Sequence, residues 1–238
     1  METRTETIRA RDGKEFSGHL ALPEGGEGPG LVVVQEIFGV NAYIRSVCER
    51  LAKLGYRALA PDLYWRIQPG VEIDDGTQEG LQEAFGYMQR VDWVQAVEDA
   101  HAALDHLRGQ AEGSALQDEA GVLGFCFGGG IAYWVAANAQ PDTCVSYYGS
   151  AVPDALRLAD DIECPILFHF GSADQYFPPE KQEQVIQAFA NKTNAEFYVH
   201  EGAGHAFDNP SPLFNHPAAA EEAWRQTVEF LGRTLPVK

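Results

Sequence analysis

Positive charge is scarce in this chain. Its 238 residues carry 17 lysines and arginines against 35 aspartates and glutamates, a formal net charge of −18. Nucleic acids and anionic membrane surfaces are bound through a basic footprint, so neither is an expected partner. Long apolar runs are also missing. No stretch approaches the roughly 20 residues of a membrane-spanning helix. The opening METRTETIRARDG has no apolar segment of the secretory kind, and the tail GRTLPVK carries no retention or lipidation signal. Cysteine occurs at 4 positions, Cys48, Cys126, Cys144 and Cys164, without a CxxC pair or a metal-ligand spacing. Reduced thiols in the cytoplasm are the expectation. Gly128-Gly129-Gly130 is not a phosphate loop, because no G-K-[ST] follows it. No metal and no cofactor is therefore expected.

What is present is an alternation of strand and helix signals. ETIRARDGKEFSGHLALP reads as two strands turned at Asp12-Gly13. LVVVQE is a continuous β-branched run of the kind buried on both faces. NAYIRSVCERLAKLG reads as a helix capped by Asn41 and closed at Gly55. YRALAPD, AGVLGF, TCVSYYG, PILFHFG and AEFYVHE are further strands. VDWVQAVEDAHAALDHLRG, PPEKQEQVIQAFANK and HPAAAEEAWRQTVEFLGRTL are helices, the first running from a cap at Asp92 to a stop at Gly109. Unbroken apolar strands alternating with helices predict a mainly parallel α/β sheet covered on both faces, with the opening hairpin antiparallel at one edge. No linker interrupts it, so residues 1–238 read as a single domain. Residues of about 64–90, rich in Pro, Gly and acids, form a long lid-like excursion.

In such a sheet, ligands bind beyond the carboxyl ends of the strands. Cys126 follows GVLGF, Asp174 follows PILFHFGSA, and His205 follows AEFYVHEGAG. Nucleophile, acid and histidine then run in the triad order of the α/β-hydrolase architecture. Gly124-Phe125-Cys126-Phe127-Gly128 matches the nucleophile elbow G-x-S-x-G, with cysteine for serine. Small residues beside the turn let strand and helix pass closely, and a helix N-terminus behind the sulfur favours its thiolate. For a lone GxCxG a buried structural cysteine would be the default; the ordered Asp and His invert that. Asp62, after YRALAP, is an alternative acid, although the chain order favours Asp174.

With those residues in place, the sequence resembles the dienelactone hydrolase family of the α/β-hydrolase fold. The resemblance spans nearly the whole chain and rests on QEIFGVN, APDLY, GFCFGG, YYG, FHFGSADQYFP and GAGHAF. It implies a Cys126-His205-Asp174 triad and hydrolysis of a lactone or similar small ester. It also implies that Glu36, which ends LVVVQE at the active face, bonds the resting thiol. A carboxylate there would oppose a thiolate by like charge. The alternative for Glu36 is a carboxylate that caps backbone or pairs with an arginine. The backbone amides of Phe127 and Ile37 are the expected oxyanion hole.

At one point the chain departs from the family. Best-known members bind a substrate carboxylate through arginines, but Leu81 and Asn209 stand near those positions here. Arg66 is the first cation available instead. Tyr64, Trp65, Phe85 and Tyr87 either line a pocket for a flat substrate or pin the excursion, and Phe38 and Asn209 also belong to the expected pocket. His19, His101, His106, His169, His200 and His216 have no acidic partner at ligand spacing, and His169 reads as a core histidine. The expected partner is thus a small-molecule ester or lactone, handled by a monomer or small homo-oligomer. A thiol acyltransferase, a redox thiol enzyme and a non-catalytic binding protein are the competing readings.

Overall fold

The hairpin at Asp12-Gly13 opens the fold. Gly13 takes φ +85°, which a residue with a side chain rarely adopts, and the chain reverses there between β1 (Glu2–Arg9) and β2 (Glu15–Leu22). The structure is a computed structural model that describes residues 1–109 and 119–237. Its further strands are β3 (Gly30–Val34), β4 (Arg57–Pro61), β5 (Ala120–Phe125), β6 (Cys144–Tyr147), β7 (Ile166–Gly171) and β8 (Ala195–His200). All belong to one 8-stranded sheet in the order β1-β2-β4-β3-β5-β6-β7-β8. β2 pairs antiparallel with β1 and β4, and every other pairing is parallel.

Among the described residues, five helices cover the two faces: α1 (Ala42–Lys53), α3 (Trp93–Gly109), α4 (Phe127–Ala139), α5 (Pro179–Ala188) and α6 (Pro217–Thr234); a further helix, α2 (Gln78–Met88), lies within the excursion. The alternation along β3 shows how the core divides. Leu31 and Val33 pack toward α1 and α6, whereas Val32 and Val34 pack toward α3 and α4. Such two-sided burial is why β3 and β5 are apolar at every position. The caps follow the sequence: Asn41 Oδ1 accepts the Ile44 N–H at 3.2 Å, and Asp92 Oδ1 accepts the Gln95 N–H at 3.1 Å.

One element has only a weak helical pattern in the sequence, near the end of the excursion, and another goes beyond the sequence reading. α2 is 11 residues long and buries only Gly80 and Ala84, positions that add little to a hydropathy period. Val152–Asp161 is a 3-10 segment kinked at Ala155, hidden in sequence by Pro153 and the Asp-rich end. The excursion is also tethered. Glu72 bridges to Gly39, Arg45 pairs with Glu72 at 2.6 Å, and the Ser211 hydroxyl donates to the Asp75 carbonyl at 2.6 Å. No helix among the described residues is long and apolar enough to cross a membrane.

Candidate active site

β5 ends in a sharp corner. Cys126, the residue between β5 and α4, has φ 54° and ψ −115°, a conformation that costs free energy for any residue with a Cβ. Its amide donates to the Tyr147 carbonyl at 3.0 Å and holds the corner against β6. The neighbouring glycines are required sterically. A Cβ on Gly124 would collide with the Gly128 carbonyl, and a Cβ on Gly128 would collide with the Val34 and Gln35 carbonyls. Only their absence lets α4 start directly over the sheet, with the sulfur at its N-terminus.

Asp174 and His205 come from the loops after β7 and β8. His205 Nδ1 lies 2.7 Å from Asp174 Oδ2, and the Asp174 side chain is fully buried. The other oxygen, Asp174 Oδ1, accepts the Tyr176 and Phe177 amides at 2.8 and 2.9 Å, which fixes the carboxylate plane. The imidazole is held between the rings of Tyr148 and Tyr176, at centroid distances of 5.3 and 5.1 Å. Burial alone would lower the His205 pKa. The charge of Cys126, a hydrogen bond to Asp174 and one to Cys126 outweigh it, and the pKa lies well above the ordinary value. Asp62, the alternative acid, is engaged elsewhere: its carboxylate accepts the Tyr64 and Gly70 amides at 3.0 and 2.7 Å.

Glu36 is 1% exposed and faces the same space as Cys126 and His205. The expected bond to the thiol is absent. Glu36 Oε2 accepts the Asn209 side-chain amide at 2.7 Å, and Oε1 has no hydrogen-bond partner. Burial pushes the Glu36 carboxyl up to about 7, against the pull of Asn209 and His205. The Ile37 and Phe127 amides have no acceptor among the backbone hydrogen bonds of the described residues.

Two cavities open onto Cys126. The smaller, of about 120 Å³, is lined by Glu36, Ile37, Phe38, Leu81, Phe85, Tyr176, His205 and Phe214. The larger, of about 490 Å³, is lined by Trp93, Phe127, Trp134, Ala151, Asp154 and Ala155. Met88, Cys126 and Ser150 border both. No lysine or arginine lines either one among the described residues.

The expected pocket residues divide. Phe38 and Phe85 line the smaller cavity. Tyr64 does not: it is fully buried behind the loop after β3, where its hydroxyl donates to the Ile37 carbonyl at 2.8 Å. Tyr87 stacks on Tyr64 at 5.4 Å and bonds Gln68, so both tyrosines pin the excursion. Arg66 is also outside. Its guanidinium meets Asp99 at 2.9 and 2.8 Å and Asp12 at 2.7 Å, a geometry that leaves no free fork for a ligand. Asn209 lies behind Glu36 rather than in a cavity wall. Trp93, Trp134, Ser150, Tyr176 and Phe214 had no local signal, since each reaches the site through packing of separate elements. His169 is a satisfied core residue, bonded to His200 at 3.0 Å and Thr227 at 2.9 Å. Among the described residues, no group of three or more His, Cys, Asp or Glu could hold a metal ion.

The family model described as "Dienelactone hydrolase family" matches residues 16–235. A carboxymethylenebutenolidase of Pseudomonas sp. (strain P51) is 35% identical over 240 residues, covering 100% of this chain and 98% of its own. The carboxymethylenebutenolidase of Pseudomonas putida is 32% identical, covering 97% of both chains. A crystal structure described as "Putative Dienelactone Hydrolase from Klebsiella pneumoniae" superposes with a TM-score of 0.84 at 29% identity, covering 97% of this chain and 98% of the other.

Proposed function

As the chain belongs to the dienelactone hydrolase family, we propose that it hydrolyses a lactone or small carboxylic ester through a thioester formed on Cys126. The observation that carries this reading is the 2.7 Å contact of His205 Nδ1 with Asp174 Oδ2 beside a sulfur held on a positive-φ corner. The Asp174 contact fixes Nδ1 as the protonated nitrogen, so Nε2 is the atom that exchanges a proton with sulfur.

The steps follow from that geometry. Cys126 Sγ adds to the substrate carbonyl carbon, and the thiol proton moves to His205. Charge that gathers on the carbonyl oxygen is met by the Ile37 and Phe127 amides, the second at the N-terminus of α4. Collapse of the adduct breaks the carbon–oxygen bond, and His205 returns its proton to the departing oxygen. Water activated by His205 then cleaves the thioester and releases the carboxylic acid. In a lactone, the departing alcohol stays attached to the acyl chain, so the product is a hydroxy acid.

Among the described residues, the absence of lysine and arginine from both cavity walls supports an uncharged substrate. A carboxylate there would lose its hydration beside Glu36 and meet no lysine or arginine. Cys126→Ala tests the reading: it should abolish hydrolysis of lactones and esters and leave the far-ultraviolet circular dichroism and melting unchanged. Turnover within tenfold of the parent would reject it.

A further inference from the structure

Cys126 stands at the junction of two cavities that differ in size and in chemistry. His205 lines the smaller and not the larger. That asymmetry gives an ester a direction. His205 must reach the departing oxygen to protonate it, so the alcohol limb lies on the side of the 120 Å³ cavity. The acyl limb, on the other substituent of the same carbonyl carbon, is then left with the 490 Å³ cavity.

Three aromatic side chains, Trp93, Phe127 and Trp134, wall the larger cavity beside Met88, Val91, Ala151 and Ala155. Trp93 meets Phe127 edge-on at 5.5 Å and Trp134 at 6.4 Å, with interplanar angles of 88° and 70°. Gly130 makes room for this wall. A Cβ there would stand 3.0 Å from Trp93 Cη2 and 3.0 Å from the Ala151 Cβ. Crossed rings leave faces and edges for another ring to pack in offset or edge-to-face fashion. The charged group of the lining, Asp154, disfavours a second carboxylate.

We infer that the cavity walled by Trp93, Phe127 and Trp134 is an acyl-group subsite for an uncharged aromatic chain, so that the enzyme acts on arylalkanoyl esters of small alcohols. The assignment rests on the hydrolase reading above and adds a direction to it. In the step it describes, the carbon–sulfur bond to Cys126 forms and the carbon–oxygen bond to the alcohol breaks. The His205 proton leaves with the alcohol, and the arylalkanoyl group stays on sulfur between the tryptophans until water removes it.

The test is a pair of matched ratios of kcat/KM. One compares methyl 3-phenylpropanoate with methyl acetate and varies the acyl limb alone. The other compares benzyl acetate with methyl acetate and varies the alcohol alone. The acyl ratio should be about tenfold or more, because a hydrophobic pocket distinguishes even one methylene by that much, and it should exceed the alcohol ratio. Trp134→Ala removes a wall and Ala151→Leu fills the space; each should lower the acyl ratio about tenfold and leave the alcohol ratio unmoved. If these variants shift the alcohol ratio and not the acyl ratio, the orientation is reversed and the assignment falls. Unchanged ratios in both variants also overturn it. No turnover of any ester, with no acyl mass on Cys126, would instead overturn the hydrolase reading and take the subsite with it.

Discussion

The Asn209 side-chain amide donates a 2.7 Å hydrogen bond to Glu36 Oε2, across 173 positions of sequence. The same amide lies 3.2 Å from Asp75 Oδ2, which in turn accepts from Asn41 Nδ2 at 2.9 Å. A buried carboxylate in the cavity that Cys126 also lines is thus held by a neutral amide, with a second carboxylate behind it. An arginine at position 209 would have supplied a positive charge. With asparagine the charged form of Glu36 stays costly, and its pKa rises from 4.5 to about 7.

That shift makes a stability prediction with a definite sign. Folded Glu36 holds its proton up to about pH 7, whereas the unfolded residue releases it near 4.5. Its stabilising contribution is therefore complete below about 4.5 and is lost as pH rises through about 7. The total corresponds to about 3 kcal/mol. Glu36→Gln cannot ionise, so its stability relative to the parent should improve by up to that amount between pH 4.5 and 8. Urea unfolding at a series of pH values measures it. A difference that stays constant with pH would contradict a raised Glu36.

Asn209→Ala removes the one hydrogen bond to Glu36 that favours its charged form. It also removes the acceptor of the Ser211 amide at 2.8 Å. The variant should lose about 1–3 kcal/mol through unsatisfied buried groups. Its pH-dependent loss of stability should move to higher pH than in the parent. The same urea series reads both effects, and a profile that moves to lower pH would show that Asn209 does not support the carboxylate.

Asp174→Asn should keep the fold and lose orders of magnitude in kcat. The amide can still occupy the position, but it no longer holds the proton on His205 Nδ1. The worked serine-protease case loses about 10⁴ for the equivalent change. Ester turnover in the purified variant, beside its melting temperature, is the measurement. A loss of less than tenfold would place the orienting group elsewhere.

Leu81 lines the small cavity. Leu81→Arg should place a guanidinium where the parent has none and raise kcat/KM for a carboxylated lactone relative to its methyl ester by about tenfold to a hundredfold. One charged hydrogen bond, about 1.5–3 kcal/mol, is enough for that change. The gain should shrink in high salt. Preference for the carboxylated lactone in the parent itself would contradict the uncharged pocket.

The residues legible in sequence share one property: each has a local pattern that its position explains. Cys126 sits in a glycine frame that only a sharp strand-to-helix turn needs, and Asp174 and His205 each follow an apolar strand. The structure brings those last two to 2.7 Å. The parallel sheet was legible for the same reason, since β3 and β5 are apolar throughout. Long-range partners were not. Arg66 looks available until Asp99 is seen 33 positions away, on a helix whose inward face is otherwise mostly alanine. The Glu36–thiol bond implied by resemblance gives way to Asn209, for which the sequence suggests a place in the pocket and a missing charge but no bond to Glu36. The aromatic wall depends on α3 crossing α4 at Gly130, a contact no window of sequence contains.

An acyl group carried on Cys126 would be visible by mass. Mixing the enzyme with a slowly hydrolysed aryl ester, quenching in acid and measuring the intact mass tests for it most directly. A mass increase of one acyl group is expected, mapped by peptide digestion to Cys126, decaying at the rate of turnover and absent in Cys126→Ala. Full turnover with no adduct on Cys126, or an adduct that forms equally in Cys126→Ala, would contradict it.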